Sequence, residues 1–361
     1  MLVALRSVFV SCAFSLPLLA QQPVITVQQS GSLSLFQAVS VSATDARVAW
    51  ISGHRGTYAV TMDGGASWQA RVMPGRDSLE FRDVHAIDAR RAWLMSAGTG
   101  AKSGIFQTTD AGATWAQVFV NRDTAAFYDC MAFFDARRAF AFSDAVNGRM
   151  PLVQTTNGRD WSVGGIPSQD GEGGFAASGS CAQASSAGDA WIGTGTAAVP
   201  RVLHSTDRWK TWTAAEVPLV RGAGAGITAL AFRDRKHGVA VGGTIAGSAT
   251  GARAARTTDG GLTWTVIPDP PFAGPAYGAA YARAGRLGRL VVVGPGGAAW
   301  SADDGTSWTM LDSASYWSVG FGADGIGWMV GPKGRVVRID WTPGAGTGAT
   351  PDQPPSFSAR R

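Results

Sequence analysis

The sequence predicts an all-β fold, a seven-bladed propeller of four-stranded antiparallel sheets, and three observations lead there. Six segments of the form Ser/Thr-x-Asp-x-Gly-x-Ser/Thr-Trp, some imperfect, end at Trp68, Trp115, Trp161, Trp212, Trp264 and Trp308 and recur every 44–52 residues. A spacing of that size is the signature of a propeller or solenoid array. A second unit, a turn followed by a small or aromatic strand, occurs seven times: close copies end at Trp50, Trp93 and Phe140, looser ones at Trp191, Val239, Val291 and Trp328. No stretch shows helical periodicity, while short β-rich runs alternate with Gly/Asp/Asn turns. Seven such sheets packed radially leave only short edges open.

The elements follow in order. Residues 1–20 carry one charge, Arg6, and then an apolar run too short to span a bilayer, which reads as a secretory signal peptide. Residues 24–28, Val-Ile-Thr-Val-Gln, form a strand with no place in the first repeat. The seventh repeat ends near residue 341 without a fourth strand, so 24–28 is expected to supply it and close the ring. Within one repeat the strands are expected at 81–87, 92–96, 104–108 and 114–120, with the Asp-bearing hairpin between the last two. The propeller therefore spans 24–341. Residues 342–361, rich in Gly, Pro, Ser and Thr, read as a flexible tail.

Composition narrows the function. Hydrophobic residues make up 45% of the 361 and charged ones 16%, enough to build a core and too little charge for global disorder. The net charge of +5 is spread along the chain without basic runs, so no nucleic-acid partner is expected. The four histidines, His54, His85, His204 and His237, fall in different repeats without metal-ligand spacing and read as surface or strand-end residues. The Gly-rich stretch 294–297 precedes no helix and is not a phosphate loop. No cofactor or metal is expected, and no membrane span.

The repeated segments have a mechanical rationale. Asp63, Asp110, Asp207, Asp259 and Asp303, and Asn157 in the third copy, can accept amide hydrogens within their own turns, glycine supplies positive φ, and each terminal tryptophan can bury its ring against the hairpin base. These segments resemble the Asp-box, or bacterial neuraminidase repeat, which in that family is structural and takes no part in catalysis. The whole repeat, from 24 to 341, is most similar to the photosystem II stability and assembly factor family. That resemblance implies a protein-binding or assembly scaffold, closed by its N-terminal strand. Sialidases share the Asp-box but need an Arg-Ile-Pro triplet, absent here, and a Tyr nucleophile with an acidic partner. The adjacent Tyr128 and Asp129 would point to opposite faces of a strand.

Two patterns bear on binding and stability. Six of the seven loops between second and third strands contain a basic residue, Arg55, Lys102, Arg149, Arg201, Arg253 and Lys333, and all open on the face opposite the Asp-bearing turns. A broken cationic ring favours an acidic segment of a protein partner; the competing explanation is an arginine-rich chain with solvated loops, and Asp77, Asp123, Asp170 and Glu172 nearby would blunt the field. Cys130 lies ten residues before Phe140 and Cys181 ten before Trp191, matched positions in neighbouring blades. In an exported chain this points to a disulfide, with two buried free thiols as the alternative. The reading is an exported, non-enzymatic, monomeric binding module. A sialidase-superfamily hydrolase, or a glycan-binding propeller without catalysis, is the alternative.

Overall fold

The computed structural model describes residues 22–283 and 288–341; the expected leader (1–20) and tail (342–361) lie outside the described residues. Seven four-stranded antiparallel sheets form the propeller, and among the described residues the helical structure is a single turn at Gly100–Lys102. Blades 1 to 6 occupy residues 36–72, 80–120, 128–167, 182–216, 225–266 and 278–312. Blade 7 takes three strands from 318–340 and its outer strand from Val24–Gln29. No helix among the described residues is long and apolar enough to cross a membrane.

Burial explains the strand sequences. The first two strands of a blade are covered by adjacent blades, so Tyr128–Phe133, the inner strand of blade 3, and Ala49–Gly53, the second strand of blade 1, are buried throughout and read as runs rather than as alternating patterns. The outer strand Gln69–Val72 is mostly exposed and mixes polar with apolar residues. Closure is made by the antiparallel pairing of Val24–Gln29 with Arg335–Asp340, in register from Val24 opposite Asp340 to Gln29 opposite Arg335. One side chain joins the two ends of the ring. Gln28 Oε1 accepts the indole N–H of Trp328 in blade 7 at 2.8 Å and that of Trp68 in blade 1 at 3.0 Å.

The tryptophans stitch blades together, and here the structure corrects the sequence reading. In three repeats the terminal tryptophan reaches beyond its own hairpin and packs against the second-strand aromatic of the preceding blade. Trp115 meets Trp50 edge-on at 6.0 Å, Trp68 meets Trp328 at 6.0 Å, and Trp212 meets Phe140 at 5.8 Å. In return, the second-strand indoles donate forward to turn carbonyls of the next blade: Trp50 to Asp88, Trp93 to Gly158 and Trp191 to Gly260. A ring buried this way adds apolar area to an interface as well as to a hairpin.

The Asp-bearing turns form one repeated hydrogen-bond network. In blade 2, Thr108 Oγ1 donates to Asp110 Oδ1 and accepts Gly112 N–H, while Thr114 donates its N–H to Asp110 Oδ1 and its hydroxyl to Oδ2. Asp63, Asp207, Asp259 and Asp303 repeat this geometry. Asn157, in the turn one residue short, instead accepts the N–H groups of Arg159 and Asp160 and donates to the Asp160 carboxylate. Hydrogen bonds to the charged form hold Asp63, Asp110, Asp207 and Asp259 at about 2, below the usual 3.8. A depressed carboxyl stabilises the fold above its unfolded value and loses that contribution as pH falls through the folded one. We therefore expect Asp110→Asn to lower the urea midpoint at pH 6, and the gap to wild type to close as pH falls from about 4 towards 2. A gap independent of pH would show that the charge contributes nothing.

Cys130 and Cys181 are bonded, with their Cα atoms 5.9 Å apart, and tie the inner strand of blade 3 to the residue that leads into blade 4. Both are fully buried. Thiol alkylation of the denatured, unreduced protein is expected to leave both cysteines unlabelled; a label at each would show that the bond does not form.

Candidate partner-binding face

The strand order places all hairpins between second and third strands, and all connectors between blades, on one face; the Asp-bearing turns lie on the other. Three of these hairpins are tight turns with two consecutive positive φ angles, the geometry that matches strand twist. They are Arg55-Gly56 (57° and 63°), Asn147-Gly148 (51° and 73°) and Lys333-Gly334 (57° and 69°). Arg55 and Lys333 thus stand at the turn apices and Arg149 at a turn exit, while Lys102 ends the helical turn of blade 2. All four are exposed, and none has a carboxylate at ion-pair distance among the described residues.

The other two cations are differently employed. Arg201 grips the connector between blades 3 and 4, donating from Nε to Glu172 Oε1 at 2.9 Å and from Nη2 to Oε2 at 2.5 Å. The Glu172 side chain is fully buried and also accepts the Thr194 hydroxyl at 2.7 Å and Gln169 N–H at 2.9 Å. Arg253 bonds Asp269 at 3.0 Å and the carbonyls of Pro270, Phe272 and Gly274, and so clamps the connector into blade 6. The expected six-membered cationic ring is therefore reduced to an arc over the consecutive blades 7, 1, 2 and 3. Glu172, counted from sequence as a loop charge on that face, is an internal ion-pair partner instead.

Carboxylates do cluster near the channel, but under cover. Asp83 and Asp129 lie on the inner strands of blades 2 and 3, with Asp144 at the end of the second strand of blade 3. The connector 168–181 runs over them, and three of its glycines allow it. A Cβ on Gly173 would lie 2.0 Å from Asp144 Oδ1, on Gly174 2.8 Å from Asp129 Cγ, and on Gly179 2.4 Å from Asp83 Oδ1. Burial pushes Asp83 and Asp129 well above the usual carboxylate range, and the Asp144 carboxyl raises Asp129 further. Asp83 Oδ2 accepts Met131 N–H at 2.8 Å and Asp144 Oδ1 accepts Gly174 N–H at 3.0 Å. Past these residues the connector crosses the channel: the Ser178 hydroxyl donates to Tyr277 O of the connector into blade 6, and Ser318 Oγ of blade 7 donates to Ser178 O. A glycosidase needs two carboxyl groups flanking open space for sugar and water. Here Asp129 is buried and Asp144 half-buried under the connector, while Asp83 borders a small cavity of about 300 Å³.

Two of the four histidines pack against aromatic rings, and the other two lie beside Glu80 and Asp234. His204, one residue from the end of the strand Arg201–Ser205, is buried rather than at the surface and stacks on Trp191 at 5.0 Å. His85 stacks on Phe133 at 4.0 Å, and desolvation lowers it to about 4. Among the described residues no group of three or more His, Cys, Asp or Glu side chains is placed to hold a metal ion.

No known sequence family and no curated protein matches the chain. Solved structures do. YCF48 bound to a D1 peptide is similar with a TM-score of 0.63 at 16% identity, covering 91% of this chain and 100% of its own. YCF48 from Cyanidioschyzon merolae gives 0.60 at 16% identity, over 88% of this chain and 98% of its own. A streptogramin B lyase gives 0.60 at 13% identity, over 88% and 97%. These similarities establish the seven-bladed fold, which is shared by binding proteins and by at least one enzyme, so activity has to be argued from the site.

Proposed function

We propose that this chain is an exported, non-enzymatic propeller that binds an acidic segment of a protein partner as an assembly scaffold. The observation that carries this reading is the arc of unpaired cations, Arg55, Lys102, Arg149 and Lys333, on one face of four consecutive blades. Exposed cations in an arc attract a carboxylate-bearing segment and raise its association rate, whereas Arg201 and Arg253 are already neutralised. The similarity to YCF48, one structure of which holds a D1 peptide, supports a protein ligand. The repeated turns, with Ser/Thr, Asp and Trp in fixed places, support their assignment as Asp-boxes of structural role. The apolar leader at 1–20 supports export, and a buried disulfide is in keeping with an oxidising compartment. The scaffold acts as a monomer.

The test is affinity capture from the envelope fraction of the source cells with wild type and with Arg55→Glu/Lys102→Glu/Lys333→Glu. A protein retained by wild type and lost by the variant, at unchanged melting temperature, is the expected result. Equal retention would overturn the arc as the binding face.

A further inference from the structure

On the flank of the propeller, between the outer strand of blade 2 (Ala116–Val120) and the two outer strands of blade 3 (Arg149–Thr155 and Trp161–Pro167), runs a cleft of about 650 Å³. Val118, Val120, Trp161 and Val163 line it, with Arg122 and Arg149 among its polar wall residues. We propose that this cleft receives an extended segment of a partner protein, which adds as a fifth strand to the edge of Trp161–Pro167, places alternate apolar side chains in the cleft and sets a carboxylate against Arg122 and Arg149. The proposal rests on the reading of the protein as a protein-binding scaffold, and gives that function a second, sequence-selective surface.

The edge itself is the first argument. Trp161–Pro167 is the longest outer strand of the seven, paired with Arg149–Thr155 at seven positions, whereas the outer strands of blades 1, 4, 5 and 6 have two to four residues. Sheet edges are ordinarily blunted by brevity or by charge. Blades 1, 4 and 6 carry Arg71, Glu216 and Asp312 on theirs; Trp161–Pro167 has no charge, and Gly164 and Gly165 carry no side chains, although Arg149 Nη2 already donates to Gly165 O. The outer strands of blades 2, 5 and 7 are also uncharged but shorter, so strand length together with the cleft and its two cations selects blade 3.

The cleft supplies the rest. Val163 is 64% exposed and Val120 44%, an apolar pair left in water on either side. The indole N–H groups of Trp161 and of Trp115, in the two blades that flank the cleft, are buried and have no acceptor among the described residues, whereas the corresponding groups of Trp68, Trp212, Trp264 and Trp308 each have one. Arg122 and Arg149 have no ion-pair partner among the described residues. The nearby Asp123 uses its carboxylate to accept Ala125 N–H at 2.9 Å. An added strand brings main-chain hydrogen bonds to the edge, and every second side chain faces the same way, here into the cleft. The net charge of its wall selects an acidic end.

The test uses the full chain and a fluorescein-labelled peptide, Thr-Val-Thr-Val-Thr-Asp-Glu, titrated by fluorescence anisotropy. Saturable binding is expected, weakened about tenfold or more by Val163→Glu and by Arg122→Glu/Arg149→Glu. Val163→Thr, which keeps the shape and so the fold, should give a smaller loss. Val266→Glu, on the exposed outer strand of blade 5, and Arg55→Glu/Lys102→Glu/Lys333→Glu should leave binding unchanged. Absence of binding, or equal binding by the Val163 variants, would overturn the cleft. Loss with the Arg55/Lys102/Lys333 variant alone would overturn it too, while leaving the arc standing. Sedimentation showing a wild-type dimer that Val163→Glu abolishes would give the edge to a second copy of this chain and count against a partner segment.

Discussion

Deleting residues 22–29 is expected to abolish the cooperative unfolding of the propeller. The deletion removes all six pairings with Arg335–Asp340 and leaves blade 7 with three strands and an open edge. It also removes Gln28, so the indole N–H groups of Trp68 and Trp328 lose their shared acceptor. Each buried donor left without an acceptor costs about 1–3 kcal/mol. Added to the lost strand packing, this approaches the roughly 5–15 kcal/mol that a domain has in total. Thermal unfolding followed by circular dichroism is the check, with a synthetic Val-Ile-Thr-Val-Gln-Gln peptide added in trans expected to restore part of the transition. A deleted protein that melts at the wild-type temperature would show that the ring is closed by other contacts.

Arg201→Ala is expected to destabilise by about 3–5 kcal/mol, because it leaves a buried carboxylate without its counter-ion. Glu172 is fully buried and its charge is matched by Arg201 across two hydrogen bonds. The double variant Arg201→Ala/Glu172→Gln should regain much of the loss, since a neutral amide is far cheaper to bury. By contrast Arg55→Ala, an exposed cation without an ion-pair partner, should fall within about 0.5 kcal/mol of wild type. Urea denaturation of the four proteins decides the matter. Equal, small effects at Arg201 and Arg55 would remove the distinction between employed and free cations on which the binding face depends.

Much of the architecture was legible in the residues. The spacing of Trp68, Trp115, Trp161, Trp212, Trp264 and Trp308 counts blades directly, because each hairpin needs the same Ser/Thr-Asp-Gly chemistry to satisfy its own turn. The orphan strand at 24–28 and the incomplete seventh repeat complement each other, as the observed pairing with Arg335–Asp340 shows. The binding face was less legible, for a physical reason. Repeats encode what a blade does for itself, whereas Arg201 and Arg253 are held by Glu172 and Asp269, in connectors that do not repeat. The targets of Trp68, Trp115 and Trp212 were hidden likewise, since they belong to the preceding blade. The covered carboxylates had one sequence signal that went unread: Gly173, Gly174 and Gly179 crowd a single connector, and three residues without a Cβ mark close approach to something.

The central claim is that an arc of free cations, and not the whole ring, takes an acidic partner. Its most direct test is the salt dependence of affinity for the captured partner, measured for wild type and for Arg55→Glu/Lys102→Glu/Lys333→Glu. Wild-type affinity should fall steeply as ionic strength rises through the range where the Debye length shrinks from about 30 to 8 Å, and the variant should bind weakly at every salt concentration with little slope. Equal affinities and equal slopes for the two proteins would contradict the account.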